Sequence, residues 1–221
     1  MFQKILFFIW VFTSFSNMLT SSESKTTIII KPEMVEKINP MIAAASSNQT
    51  FLFTKGTYIL KKGLLIQNKS YLKFRAEKDT FLILNDMDSS VFQISESDNI
   101  EISGFHAKHR NPLMPNETCN GAVIYVVSSH DITLLDLELN GSGMEGVTIS
   151  SSTSVFIRNS WIHHNSVAGI LLERFADHIF IENNKFEHNP IHTKSTFLED
   201  TEWNKYIHFK NNKYDAKPVK N

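Results

Sequence analysis

The chain has a single cysteine, Cys119, and that scarcity removes several possibilities at once. No internal disulfide can form, so stability must come from packing and hydrogen bonds, and cysteine-based metal clusters are excluded. Proline and glycine are also sparse, six and eight in 221 residues, which argues against a low-complexity or disordered chain. Neither sign of charge dominates: 22 Lys and Arg against 23 Asp and Glu leave a formal charge of −1. Nucleic acid and anionic membrane surfaces both want a basic face, so neither is expected as a partner. A membrane span needs about 20 apolar residues. The nearest approach, Ile5 to Phe15, is shorter, follows Lys4, and ends at the small residues of Ser14-Phe15-Ser16. These are the marks of a secretory signal peptide, cleaved there or in the serine-rich stretch 21–24. Residues 1–24 are therefore read as signal peptide and short linker, and 25–221 as one domain of a secreted, extracellular protein, periplasmic or surface-located in a bacterial host.

What the chain has in quantity is a repeat. Ile179-Phe180-Ile181-Glu182-Asn183-Asn184-Lys185-Phe186 has counterparts at Val155 to Ile162 and Ile207 to Tyr214, at Ile132 to Leu139 with Asp136 in the polar slot, and more loosely at Ile100 to Ala107 with Gly104 there. The template reads apolar, any, apolar, any, Asn/Asp/Gly, any, any, apolar, and successive copies are offset by 32, 23, 24 and 28 residues. Ahead of most copies lies a further alternating segment: Phe92-Gln93-Ile94, Ala122-Val123-Ile124, Val147-Thr148-Ile149 and Ile170-Leu171-Leu172. Alternation with period two marks strands with one face buried. A unit of about 23 residues cannot bury that face alone, but stacked units bury a continuous core. Asn and Asp tolerate left-handed backbone at tight turns, and stacked Asn side chains would bond between units. The units are too short for the paired helices of a helical solenoid, and a β-sandwich gives the Asn slot no reason to recur. The expected fold is all-β, a single-stranded right-handed parallel β-helix of about six to seven rungs. Its repeats occupy about 51–214, a cap 32–50 with a short helix broken near Pro40, and a polar tail 215–221; Thr193 to Trp203 reads as a longer insertion.

Phe51-Leu52-Phe53 followed by Lys55-Gly56-Thr57-Tyr58 resembles the opening of pectin-lyase-like β-helix proteins, and the later units are similar to the generic repeats of that superfamily, from about Pro32 to Tyr214. The resemblance implies an extracellular polysaccharide or glycan as partner, and lyases, glycoside hydrolases, mannuronan epimerases and non-catalytic binding proteins all share this fold. The chain departs from the enzymes' signatures. No Asp-Asp pair stands at the start of a strand, where Glu145 is alone before Gly146. No Asp-Pro-His-Asp occurs, and no clustered Asp/Glu calcium site is visible. No cofactor is identified; Ca2+ stays open without an acidic cluster to hold it. A monomer is expected.

Two sets of residues could carry chemistry. His109, His164 and His188 share one slot of the repeat, and Arg110 begins the next, inside the loop Lys108 to Asn120 that stretches one unit to 32 residues. A uronate lyase or C5-epimerase needs a base and a cation that neutralises the carboxylate, roles open to a histidine and Arg110. His-Asn pairs that merely close a strand are the alternative. The second set is Tyr125, Glu145, Glu173 and Arg174, with Lys108, as substrate contacts or as the carboxylates of a glycoside hydrolase; Glu173 is expected to point outward in register with Tyr125 and Ser150. Glu173-Arg174 as a surface ion pair is the alternative. Phe156, Phe180 and Trp161 fall at outward positions and could stack sugars. Sequons stand at Asn48, Asn68, Asn116 and Asn140.

Overall fold

The computed structural model describes residues 26–110, 118–141, 144–173, 175–196 and 206–215; the signal-peptide reading, the sequon at Asn116 and Arg174 fall outside them. Strands pair in parallel into three sheets of eight, six and seven strands. From Gln49–Phe53 onward, each full turn of the chain adds one strand to each sheet. Phe92–Ser95 joins the six-stranded sheet, Asp98–Ser103 the eight-stranded and His106–His109 the seven-stranded; Ile124–Val127, His130–Leu135 and Glu138–Asn140 repeat the circuit. The repeat template spans the eight- and seven-stranded sheets, and the alternating segment ahead of it forms the six-stranded one.

Stacking places like residues directly over one another. Leu72, Ile100, Ile132, Val155 and Ile179 form one inward column and Phe74, Ile102, Leu134, Ile157 and Ile181 the next, all nearly fully buried. The looser first copy fits because Gly104 takes φ +81 where Asp136, Asn159, Asn183 and Asn211 take +53, +53, +58 and +54. A left-handed residue is thus the requirement of that corner, and Gly, Asp and Asn satisfy it at least steric cost.

The residue after it forms the expected ladder. Asn184 Oδ1 accepts from the Ser160 N–H (2.9 Å), and its Nδ2 donates to the Ile157 carbonyl (2.8 Å) and to Asn212 Oδ1 (3.2 Å). A second ladder runs at the seven-to-six corner, where Asn189 Oδ1 accepts from the Asn165 N–H and Nδ2. A third, not foreseen from the sequence, is made of serines at the six-to-eight corner: the Ser97 N–H donates to Ser129 Oγ and the Ser129 N–H to Ser152 Oγ, both 3.1 Å.

The helix differs from expectation. Val35–Ala44 is continuous through Pro40. Proline removes one helical N–H, but its side is exposed, while Ile38 and Ile42 on the opposite side are fully buried and hold the helix to the core. Asn39 then acts as a strand edge: its Nδ2 donates to the Gly63 carbonyl (2.8 Å) and its Oδ1 accepts from the Leu65 N–H (2.9 Å), closing the exposed edge of the six-stranded sheet. At the other end, Ile191–Ser195 is the last strand of that sheet, so the stretch read as an insertion begins as a strand. Its neighbours set its start, since Ala168 pairs with Ile191 and Leu171 with Lys194.

Adjacent asparagines at the same corner should separate on mutation. Asn184→Ala leaves buried backbone groups unpartnered and is expected to cost about 2–3 kcal/mol. Asn183→Ala adds only left-handed strain, about 1 kcal/mol. Urea denaturation of both variants checks the order.

Candidate functional site

The six-stranded sheet presents a row of outward side chains. Tyr125, Thr148, Leu171 and Lys194 stand in register across four strands, between inward columns of Ile and Val. Strand Glu145–Ser150 breaks alternation at its start. A Cβ on Gly146 would meet Ile162 Cγ2 at 2.6 Å and the Gly169 carbonyl at 2.7 Å, so the space on its inner side is already occupied. Gly146 and Val147 both face the core, and this turns Glu145 to the side of Thr148, whose Oγ1 donates to Glu145 Oε2 (3.3 Å). Only 4% of Glu145 is exposed. Burial pushes its carboxyl above the usual range, and the negative charge of Glu173 pushes the same way, against the Thr148 bond and the Lys194 charge. The Tyr125 phenol is raised as well, by burial first and Glu173 second, while its bond to Ser150 opposes. Glu145, Glu173 and Tyr125 are therefore brought onto one face, joined by Thr148 and Lys194, which sequence reasoning missed. The register is shifted from that expected: Val127, not Tyr125, pairs with Ser150.

The histidines diverge. His109 is fully buried, its Nε2–H donating to the Ser89 carbonyl (2.8 Å), and burial lowers its pKa. His164 and His188 are left-handed (φ +54 and +52), exposed, and stacked with ring centroids 4.5 Å apart. His109 and these two thus point to opposite sides of the wall, and Arg110, whose N–H donates to the Leu84 carbonyl, continues the strand of His109. Lys108 faces outward, level with Asn140 and Ile83. Beside His164 a second polar cluster collects: His163 Nδ1 lies 2.7 Å from His164 Nδ1, its Nε2 donates to Glu138 Oε1 (3.3 Å), and Glu138 Oε2 accepts from His106 Nδ1 (2.7 Å). His106, Glu138 and Trp161 fill one outward slot of the repeat, a signal present in the sequence. Phe156 and Phe180 stack on each other (4.8 Å, 11°), with His208 stacked on Phe180 and the Arg158 guanidinium over Phe156. Trp161 lies on a different sheet, against His163 and under Lys185. Among the described residues no group of three or more His, Cys, Asp or Glu is placed to hold a metal ion.

A model of the right-handed β-helix region matches residues 45–216. The chain belongs to the right-handed β-helix family. The β-helix fold recurs in a crystal structure named "putative glycosyl hydrolase" from Parabacteroides merdae ATCC 43184, 13% identical at a TM-score of 0.61, over 85% of this chain and 91% of that one. It recurs in pectate lyase Pel9A, 15% identical at a TM-score of 0.55, where the likeness covers 74% of this chain and 46% of the lyase. At these identities the likeness is one of fold. Comparison with curated proteins returns no match. No helix among the described residues is long and apolar enough to cross a membrane.

The raised Glu145 carboxyl makes a prediction about this β-helix. Its contribution to stability is full below the usual Glu range, near 4.5, and declines as pH rises through the raised folded value. Glu145→Gln does not titrate. The stability of the variant relative to the natural protein should therefore rise between pH 4 and pH 8 in chemical denaturation, and a constant difference would contradict the assignment.

Proposed function

We propose that this β-helix protein is secreted and cleaves glycosidic bonds in an extracellular polysaccharide, on the face that holds Glu145, Glu173 and Tyr125. The observation that carries the reading is Glu145, a buried carboxyl held toward its protonated form beside a second carboxylate. Glycoside hydrolysis needs that pairing, one acid to protonate the leaving oxygen and one carboxylate to act as base or nucleophile. Glu145 is assigned the first role and Glu173 the second, with Tyr125 and Lys194 as sugar contacts. Lys4, the apolar run from Ile5 and Ser14-Phe15-Ser16 support secretion, and the fold shared with carbohydrate-related proteins supports the substrate class.

A lyase or epimerase would draw on His164 or His188 instead, with Lys108 or Arg110 for the uronate, because His109 faces the core. One observation favours a glycan-binding module without turnover: Glu145 is 4% exposed, so substrate has little access to its carboxyl. A panel of neutral and uronate polysaccharides separates the three. Hydrolysis gives new reducing ends without ultraviolet absorbance, and Glu145→Gln and Glu173→Gln should each lower the rate by roughly 10²–10⁴-fold, with His164→Ala and His188→Ala unchanged. Unsaturated product or C5 inversion, lost in the histidine variants, would replace this reading with the lyase or epimerase. Binding without any product would replace it with the module.

A further inference from the structure

We propose a second, non-catalytic glycan site: the groove over the first half of the eight-stranded sheet binds neutral, hydroxyl-rich sugar units. It lies on a different face from Glu145 and Glu173. It shares with the proposed function only the class of ligand, and either can fail without the other.

The groove follows from a repeated backbone feature. Near the start of five consecutive strands of this sheet one residue is left-handed: Tyr71, Asn99, Asp131, Ser154 and His178, at φ +58, +51, +54, +55 and +50. Strand pairing skips these residues, as Ser70 pairs with Asp98 and Leu72 with Ile100. They form a rim beside the outward column of Thr50, Lys73, Glu101, Thr133, Phe156 and Phe180. In the later turns stacked phenyl rings fill the column. In the earlier turns Thr50 and Thr133 are short, and rim and column enclose a groove of about 380 Å³.

Its chemistry selects the ligand. Glu101 accepts from Lys73 Nζ (3.0 Å) and from Arg75 Nε (2.8 Å), and Asp131 supplies a second negative charge, so two cations face two anions and an ionic ligand gains no net attraction. Burial alone would raise the Glu101 carboxyl, but Arg75 and Lys73 outweigh it and hold it ionised. Amides, hydroxyls and paired charges at this density alternate donors and acceptors, as a polyhydroxylated ligand requires. Tyr71 completes the site. A bulky residue in left-handed backbone costs about 1–2 kcal/mol, and at 53% exposed this ring recovers little of that by packing. Its counterparts are Asn, Asp, Ser and His. An exposed ring at the rim gives the apolar face of a pyranose something to stack on.

The test is isothermal titration calorimetry with cellohexaose, xylohexaose and hexagalacturonate, on protein made without N-glycans because the sequon residue Asn48 lines the groove. Tyr71→Asn removes the ring but keeps a residue suited to the backbone. Thr133→Phe extends the Phe156–Phe180 stack into the groove without loosening the fold. A neutral hexasaccharide should bind the natural protein with a component that weakens at least tenfold in Tyr71→Asn and is lost in Thr133→Phe, while any binding on the Glu145 face persists in both variants. No binding of either neutral probe, unchanged affinity in both groove variants, or binding of hexagalacturonate alone would overturn the proposal. Groove binding by a protein that hydrolyses no polysaccharide would overturn the proposed activity and support this site on its own.

Discussion

Everything in this protein depends on each turn of chain satisfying the turn before it. A strand spacing near 4.8 Å fixes the distance between turns, and the corners then determine whether the register can hold. Ser129 and Ser152 at one corner, Asn184 and Asn212 at the second and Asn189 at the third each take a backbone N–H from the turn before and donate to a nearby carbonyl. A slip of one residue would leave three corners unpartnered and turn the Ile and Val columns outward. Without a disulfide, these short side chains do the locking.

Strict stacking also constrains chemistry. A residue's neighbours are its counterparts one turn away, so identical groups line up and a mixed site must arise across columns or at an irregularity. Both occur. Glu138 sits between His106 and Trp161 in a single column because the repeat changes residue there. Glu145 reaches the outer side only because Gly146 faces a core already filled by Ile162. An alanine at 146 would push on Ile162 and on the Gly169 carbonyl, so the glycine is a packing requirement that also aims the carboxylate.

The architecture was legible because its determinants are local: period two, and a left-handed Asn, Asp or Gly at a fixed offset. The pairing of Tyr125 with Glu145 and Glu173 was visible at the level of face, but not of register, because the two-residue shift depends on how Gly146 packs against another sheet. Thr148 looked like an ordinary strand residue. Lys194 was hidden in a segment whose strand character comes from pairing with Ala168 through Leu172 rather than from its own sequence, Ile191 to Ser195, which carries little apolar pattern. The serine ladder was missed because serine at a turn is common, and only the stacked geometry gives its recurrence meaning. Pro40 misled for the converse reason, since two buried isoleucines outweigh one lost hydrogen bond.

His109, His164 and His188 show most directly what sequence alignment leaves undecided. They share one slot, and strict alternation after Ala107, Ile162 and Phe186, all inward, would aim all three at the core. His109 obeys, in extended backbone, because the Ser89 carbonyl waits there for its Nε2–H. His164 and His188 take positive φ, which reverses the direction of the side chain and sets their rings outside, with Asn165 and Asn189 turning inward behind them to carry the ladder. Gly141, at φ +65, makes the same turn without a side chain to present. The handedness of one backbone residue at a corner, more than the residue type, thus decides whether a histidine becomes core or surface. The αL rim beside the eight-stranded sheet is built by the same device, which is how a fold made of near-identical turns obtains three chemically different faces.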